Sequence, residues 1–277
     1  MKRKLLLILI CVLSFGVFLF SGMQLLLDRR EYRAGQDAYQ ELTQYIYSEP
    51  APVLQEQEVE EAVQAVQNVP AEQADDVSPE IPSADPDYNE SVIWPEVDFE
   101  ALEAINPDIA AWLYLEETGI NYPVVQGTDN EEYLDRLFDG SHNRLGSVFI
   151  DYRNSPDFTD RNTILYGHHA KDGLMFTPII HYKEQAYYES HPSCLILTPE
   201  ENYVVTFFAG YVADLNDSAW KLHFESDEEF AAWMEDAISK STFQSNITPT
   251  AQDRVVTLST CIYDFPDARY VLLGIIQ

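Results

Sequence analysis

Cysteine is scarce in this chain. Three occur in 277 residues, and Cys11 lies inside a long apolar run, which leaves only Cys194 and Cys261 beyond it. Two thiols cannot build a disulfide framework, so a free thiol is expected. Basic residues are also few: 16 Lys and Arg stand against 47 Asp and Glu, a formal charge of −31, and none falls between Arg33 and Arg136. A surface of that sign repels phosphate backbones and disfavours a nucleic-acid role. His142, His181, His191 and His223 lie in polar surroundings without ligand spacing to another His, Cys or carboxylate, so no metal or other cofactor is expected. Between Ser48 and Asn89 aromatic residues are nearly missing. That stretch is rich in Glu, Gln, Ala and Pro; it cannot bury enough apolar surface to offset the entropy of ordering, and reads as a flexible acidic linker. No internal repeat is present.

What the chain does have begins with Leu5 to Leu27, a run without a charge. At about 1.5 Å per residue in a helix, it is long enough to cross a hydrocarbon core roughly 30 Å thick, and it is expected to be a transmembrane helix. Lys2, Arg3 and Lys4 precede it, but the run is longer than a secretory signal core and no small-x-small cleavage site follows, which favours an uncleaved signal anchor. Arg29, Arg30 and Arg33 on the far side nearly balance the N-terminal bases, so charge alone leaves the orientation open. The expected order is an N-terminus at 1–4, the span at 5–27, a stalk and acidic linker at 28–92, and a folded domain at 93–277. Tyr39, Leu42, Tyr45 and Ile46 recur at helical spacing and allow a short amphipathic stalk.

In the folded part, Asp98 is placed to N-cap a helix through Phe99, Leu102 and Ile105. Asn106-Pro107 ends that helix before a second short helix or turn at Asp108 to Trp112. β-Branched and aromatic runs predict strands at Ala111 to Leu115, Asn121 to Val125, Ser147 to Asp151, Asn162 to Gly167, Ser193 to Thr198, Tyr203 to Ala213, Arg254 to Cys261 and Tyr270 to Ile276. Eight short strands with few helices argue a mainly β fold, a barrel or sandwich. One internal helix is expected from the capping box Ser226 and Glu229, with Phe230, Trp233, Ala237 and Ile238 on its apolar face.

The chemistry concentrates in three segments. Thr257-Leu258-Ser259-Thr260-Cys261 ends a predicted strand, and Arg269 follows eight residues later, after a loop with two aspartates and a proline. The two strands return alongside each other, so Cys261 and Arg269 face across neighbouring strand ends. A guanidinium there can stabilise a thiolate, a substrate carbonyl or the oxyanion formed on attack. Far upstream, Tyr166-Gly167-His168-His169 supplies an imidazole. A thiol nucleophile needs a base or cation to raise its thiolate fraction and a donor for the tetrahedral intermediate, so the combination points to covalent catalysis. Ser259 shares a strand face with Cys261 and could line a substrate groove or bond the histidine. Strand alternation sends His168 and His169 to opposite faces, so only one can serve Cys261. Asp264 or Asp267 could orient the base, or simply cap turns. Cys194, in the apolar run Ser193 to Leu197, reads as a buried inert thiol.

These residues, with Lys171-Asp172-Gly173, Met175-Phe176, Asn121 to Gly127 and Phe149-Ile150-Asp151-Tyr152-Arg153-Asn154, resemble those of class B sortases, the membrane-anchored cysteine transpeptidases of Gram-positive cell surfaces. The resemblance covers roughly Val97 to Gln277. It implies an eight-stranded sortase-type β-barrel with N-terminal helices and one inserted helix. It also implies a cytoplasmic N-terminus and an extracellular catalytic domain, with Cys261 as nucleophile, His168 as the histidine that follows glycine, and Arg269. The implied partners are surface proteins bearing a C-terminal sorting motif of the Asn-Pro-x-Thr-x type and a peptidoglycan amine that accepts them. Three other readings remain at this point: a pilin-polymerising sortase, a cysteine peptidase, and a non-catalytic wall-associated binding module.

Overall fold

The computed structural model describes residues 2–47, 94–170 and 173–277, with side chains of the first helix from Leu13 onward. The expected acidic linker from Ser48 to Asn89 and the pair Lys171-Asp172 lie outside the described residues. The chain divides into a unit of residues 1–45 with 98–277 and a second unit of 46–97. Of the second unit the described part is a short antiparallel ladder, Ile46 to Tyr47 against Glu96 to Val97.

The large unit is built on eight strands: β1 (Ile109–Leu115), β2 (Ile120–Val125), β3 (Val148–Ile150), β4 (Asn162–Tyr166), β5 (Ser193–Leu197), β6 (Asn202–Ala213), β7 (Val255–Cys261) and β8 (Arg269–Ile276). All eight expected strands are present, with ends shifted by one or two residues. They close a barrel in the order β8-β6-β5-β1-β2-β3-β4-β7, in which β2–β3 and β4–β7 are parallel and the other pairs antiparallel. Closure removes free sheet edges. In β7 every residue from Val255 to Thr260 is buried instead of alternating in and out, because helices and loops cover the outside of the barrel.

Helix α1 spans Lys2–Leu42. Among the described residues no helix is long and apolar enough to cross a membrane, so the expected span is not shown. The far end of α1 is docked rather than free. Tyr39 is buried, its ring edge-on to Tyr122 at 5.2 Å between centroids. Its hydroxyl donates to the Gly146 carbonyl at 2.7 Å and lies 2.9 Å from Ser147 Oγ. Asn143 Nδ2 donates to the Glu31 carbonyl, and the Arg144 guanidinium pairs with Asp28 and Glu31.

Helix α2 (Phe99–Ile105) starts at Asp98, whose Oδ1 accepts from Ala101 N at 2.9 Å. The short helix allowed at Asp108 to Trp112 is instead the start of β1, because Asn106-Pro107 turns the chain directly into the barrel. Two elements escaped the sequence pattern: a 3-10 stretch at Thr177–Lys183 and the six-residue helix α3 (Gln185–Ser190). The inserted helix, α4 (Asp227–Lys240), is capped by Ser226 Oγ accepting from Glu229 N at 3.2 Å. Its buried face is Phe230, Trp233, Met234 and Ala237, packed over Phe208, Val271 and Leu273. Ile238, expected on that face, is 41 % exposed. At 100° per residue it stands about 80° from Phe230 around the helix, whereas Met234 stands about 40° away.

Candidate active site

Strand register brings the three chemical segments together. β7 and β8 pair antiparallel with Arg269 directly opposite Cys261, so the sulfur and the guanidinium share one face of the sheet. β4 runs parallel to β7 with Tyr166 paired to Ser259. Two residues past each partner stand His168 and Cys261, carried to the same end of the barrel by equal steps. Just beyond the ladder, Gly167 N donates to the Ser259 carbonyl at 3.2 Å and Thr260 Oγ1 donates to the Gly167 carbonyl at 2.7 Å. His168, Ser259, Cys261 and Arg269 all line one open cavity of about 260 Å³, together with Asn130, Leu134, Phe149 and Tyr166. Cys261, His168 and Arg269 are each half-buried, reachable by a substrate.

Two close approaches fix the histidine. His168 Nε2 donates to the Leu134 carbonyl at 2.6 Å. A carbonyl only accepts, so Nε2 carries a hydrogen and Nδ1 is the nitrogen left to exchange a proton. Gly146, at φ +63°, lies against the ring: a Cβ there would come within 2.8 Å of His168 Cδ2. On the other side of the strand end, a Cβ on Gly167 would come within 2.5 Å of the Phe176 ring. The group orienting the base is therefore a backbone carbonyl, which leaves no trace in the identity of Leu134. Asp264 is engaged elsewhere, 2.7 Å from Lys183 Nζ, and Asp267 occupies an exposed turn position at φ +62°.

Ser259 is buried, and its hydroxyl accepts from the Trp220 indole N–H at 3.3 Å; it lines the cavity beside the thiol. The two histidines, both beyond the end of β4, do part: His169 lies beside Tyr263, 5.3 Å between the centroids of the tilted rings, and lines a different hollow with Ile262 and Lys183. Cys194 is fully enclosed, and burial pushes its thiol well above the ordinary range. Arg269 Nη1 donates to the Ala268 carbonyl at 3.2 Å, which holds the fork near the strand end.

Sequence reasoning singled out Phe149 to Asn154 without assigning it work. Asp151 there is completely buried, and its carboxylate accepts from Arg153 twice at 2.8 Å, from Asn130 Nδ2 at 3.0 Å and from the Tyr166 hydroxyl at 3.0 Å. Burial alone would raise that carboxyl, but the Arg153 guanidinium and the neutral donors outweigh it and hold it below the usual carboxylate range. Burial, and then the Asp151 charge, push the Tyr166 phenol upward, so it stays protonated. Among the described residues no group of three or more His, Cys, Asp and Glu is arranged to hold a metal ion.

Comparison with known proteins identifies the family to which this fold belongs. The sortase domain family matches residues 113–275. Sortase B of Staphylococcus aureus is 39 % identical over 163 residues, 59 % of this chain and 67 % of that protein. Among solved structures, a Staphylococcus aureus sortase B–substrate complex superposes with a TM-score of 0.62 at 37 % identity, covering 65 % of this chain and 84 % of that one. A sortase B complexed with triglycine gives the same TM-score and identity, covering 65 % and 85 %. With a matched domain that runs from β1 into β8 and an opposed thiol and guanidinium at its open end, the chain belongs to the sortase family as a class B cysteine transpeptidase.

Proposed function

We propose that this transpeptidase cleaves a sorting motif near the C-terminus of surface proteins and transfers the new acyl end to an amine of the cell-wall peptidoglycan. The observation that carries the reading is the register pairing of Cys261 with Arg269, with His168 delivered to the same cavity by the parallel strand β4. The His168 imidazole takes the Cys261 thiol proton as Sγ attacks the threonine carbonyl of an Asn-Pro-x-Thr-x-type motif, forming a carbon–sulfur bond. The carbonyl oxygen becomes negative, and the Arg269 fork neutralises it. As the amide carbon–nitrogen bond breaks, His168 protonates the leaving amine and a thioester remains. In the second half, the imidazole takes a proton from the incoming amine as it attacks the thioester; the carbon–sulfur bond breaks and the imidazolium returns the proton to the sulfur, releasing the thiol. Ser259 contributes to the wall of the donor groove. The relatives seen with a substrate and with triglycine support a peptide donor and an amine acceptor. The apolar run Leu5 to Leu27 supports a single-pass anchor, and the resemblance to class B sortases, not the flanking charge, favours a catalytic unit outside the cell.

Product analysis tests this reading. The enzyme is incubated with an Asn-Pro-x-Thr-x peptide, with and without a glycine peptide as acceptor. A ligated product that displaces the hydrolysis product in proportion to acceptor is expected. Hydrolysis indifferent to added amine would overturn transfer and make the protein a peptidase on this donor.

A further inference from the structure

The carboxylate of Asp151 has no route to the reacting atoms, yet it touches two residues that do face the cavity. Asn130 and Tyr166 come from a loop after β2 and from the end of β4, and the structure joins them through Asp151 Oδ2, at 3.0 Å to each. Asn130 is fixed at both ends of its amide, since its Oδ1 also accepts from Tyr152 N at 3.0 Å. That arrangement assigns oxygen and nitrogen without ambiguity and leaves one Nδ2 hydrogen without a partner among the described residues. Tyr166 is held by the same oxygen, with its ring 5.3 Å from that of Phe149. The Asp151 backbone is pinned as well: its N–H donates to the Ile164 carbonyl at 2.9 Å, and its carbonyl accepts from Gln126 Nε2 at 3.0 Å. A fully buried carboxylate, bonded bidentately by Arg153 and tied to the frame by its own backbone, is a rigid post.

We propose that Asp151 is a positioning residue for the acyl donor: it locks Asn130 and Tyr166 as one wall of the groove, so that the free Nδ2 hydrogen meets a backbone carbonyl of an extended peptide lying toward Cys261. The inference rests on the transpeptidase reading above and deepens it, by naming what holds the donor's main chain. Asp151 acts only through its two clients, which makes a double-mutant cycle the decisive test. In wild type, Asp151→Asn keeps the shape but loses the charge that orders both donors. The expected loss in kcat/KM for peptide acylation is roughly tenfold or more, given that a misplacement of about 1 Å costs up to 10²-fold. It should fall mainly on KM. In an Asn130→Ala/Tyr166→Phe background, the same change should cost less than about twofold, because the clients are gone. Alkylation of Cys261 by iodoacetamide should stay within about twofold of wild type throughout, since the thiol environment is untouched. Should Asp151→Asn fail to fold, Arg153→Met loosens the same carboxylate from a half-exposed position, and the same pattern at reduced size is expected. An equal loss in both backgrounds, or alkylation falling in step with acylation, overturns the proposal. Wild-type enzyme forming no thioester would bring down the transpeptidase reading with it, whereas an additive cycle beside a wild-type thioester removes the Asp151 role alone.

Discussion

Replacing Gly167 by alanine tests how closely the His168 strand end is set against the rest of the site. The added Cβ would lie 2.5, 2.7 and 2.8 Å from Cγ, Cδ2 and Cδ1 of Phe176, against a comfortable carbon–carbon separation of about 3.5–4.0 Å. Phe176 is fully buried, so its ring has nowhere to swing, and the backbone must retreat by about 1 Å. Overpacking of this kind costs about 1–3 kcal/mol of stability. The retreat also weakens the Thr260 Oγ1 bond to the Gly167 carbonyl and displaces the next residue, His168, from its place beside Leu134. A shift of that size is worth up to about 10²-fold in rate, or roughly 2.7 kcal/mol of transition-state stabilisation. Transpeptidation kcat/KM, measured beside a thermal melt, should show both losses. Gly167→Ala/Phe176→Leu, which opens room for the methyl, should recover most of the activity. A Gly167→Ala enzyme within about threefold of wild type would refute the reasoning, as would a double variant no better than the single.

Other outcomes follow from the same contacts. Arg269→Lys keeps the charge but loses the fork opposite Cys261, and turnover should fall by about 10²–10³, the usual toll for removing one oxyanion donor; near-normal kcat in a peptide cleavage assay would make Arg269 a solvated charge. Tyr39→Phe removes a buried hydroxyl that sits on Gly146 and Ser147 and should cost about 1–2 kcal/mol in urea unfolding. A truncation starting near Val97 should lose more than Tyr39→Phe, and an unchanged midpoint would show that the docking of α1 carries no stability. The Asp151 carboxyl titrates lower in the folded state than unfolded, so its contribution is fully present above the unfolded value of about 3.9 and fades as pH falls through the folded value. Asp151→Asn should accordingly flatten the acid limb of stability against pH, and parallel limbs would contradict that.

The strands were legible because barrel strands here are runs of β-branched and aromatic residues cut by Gly, Pro and Asp: Val255 to Cys261 and Arg269 to Ile276 need no tertiary information to be read. Their order was not, since β4 meets β7 across some ninety residues of chain, and a parallel neighbour leaves no local signature. α3 was missed because six residues, with only Tyr188 buried, make too short a stripe to register. In the site, Cys261 and Arg269 could be named from residue type and spacing, whereas His168 was set apart from His169 only by the resemblance to class B sortases, and what orients His168 could be read from neither. Asp264 or Asp267 in the loop after Cys261 was one possibility beside simple turn capping; the structure uses the Leu134 carbonyl and pairs Asp264 with Lys183. Asp151 was visible as part of a motif and silent as to role, because its meaning lies in two residues, Asn130 and Tyr166, brought to it only by folding.

The central claim is that the sulfur of Cys261 carries the acyl group in the cavity it shares with His168 and Arg269. Intact-protein mass spectrometry with peptide mapping, after incubation with a sorting peptide and no added amine, tests it directly. A thioester adduct on Cys261 that disappears in Cys261→Ala is predicted, with Cys194 unmodified in its enclosed position. An adduct on Cys194, or one that persists in Cys261→Ala, would contradict the account.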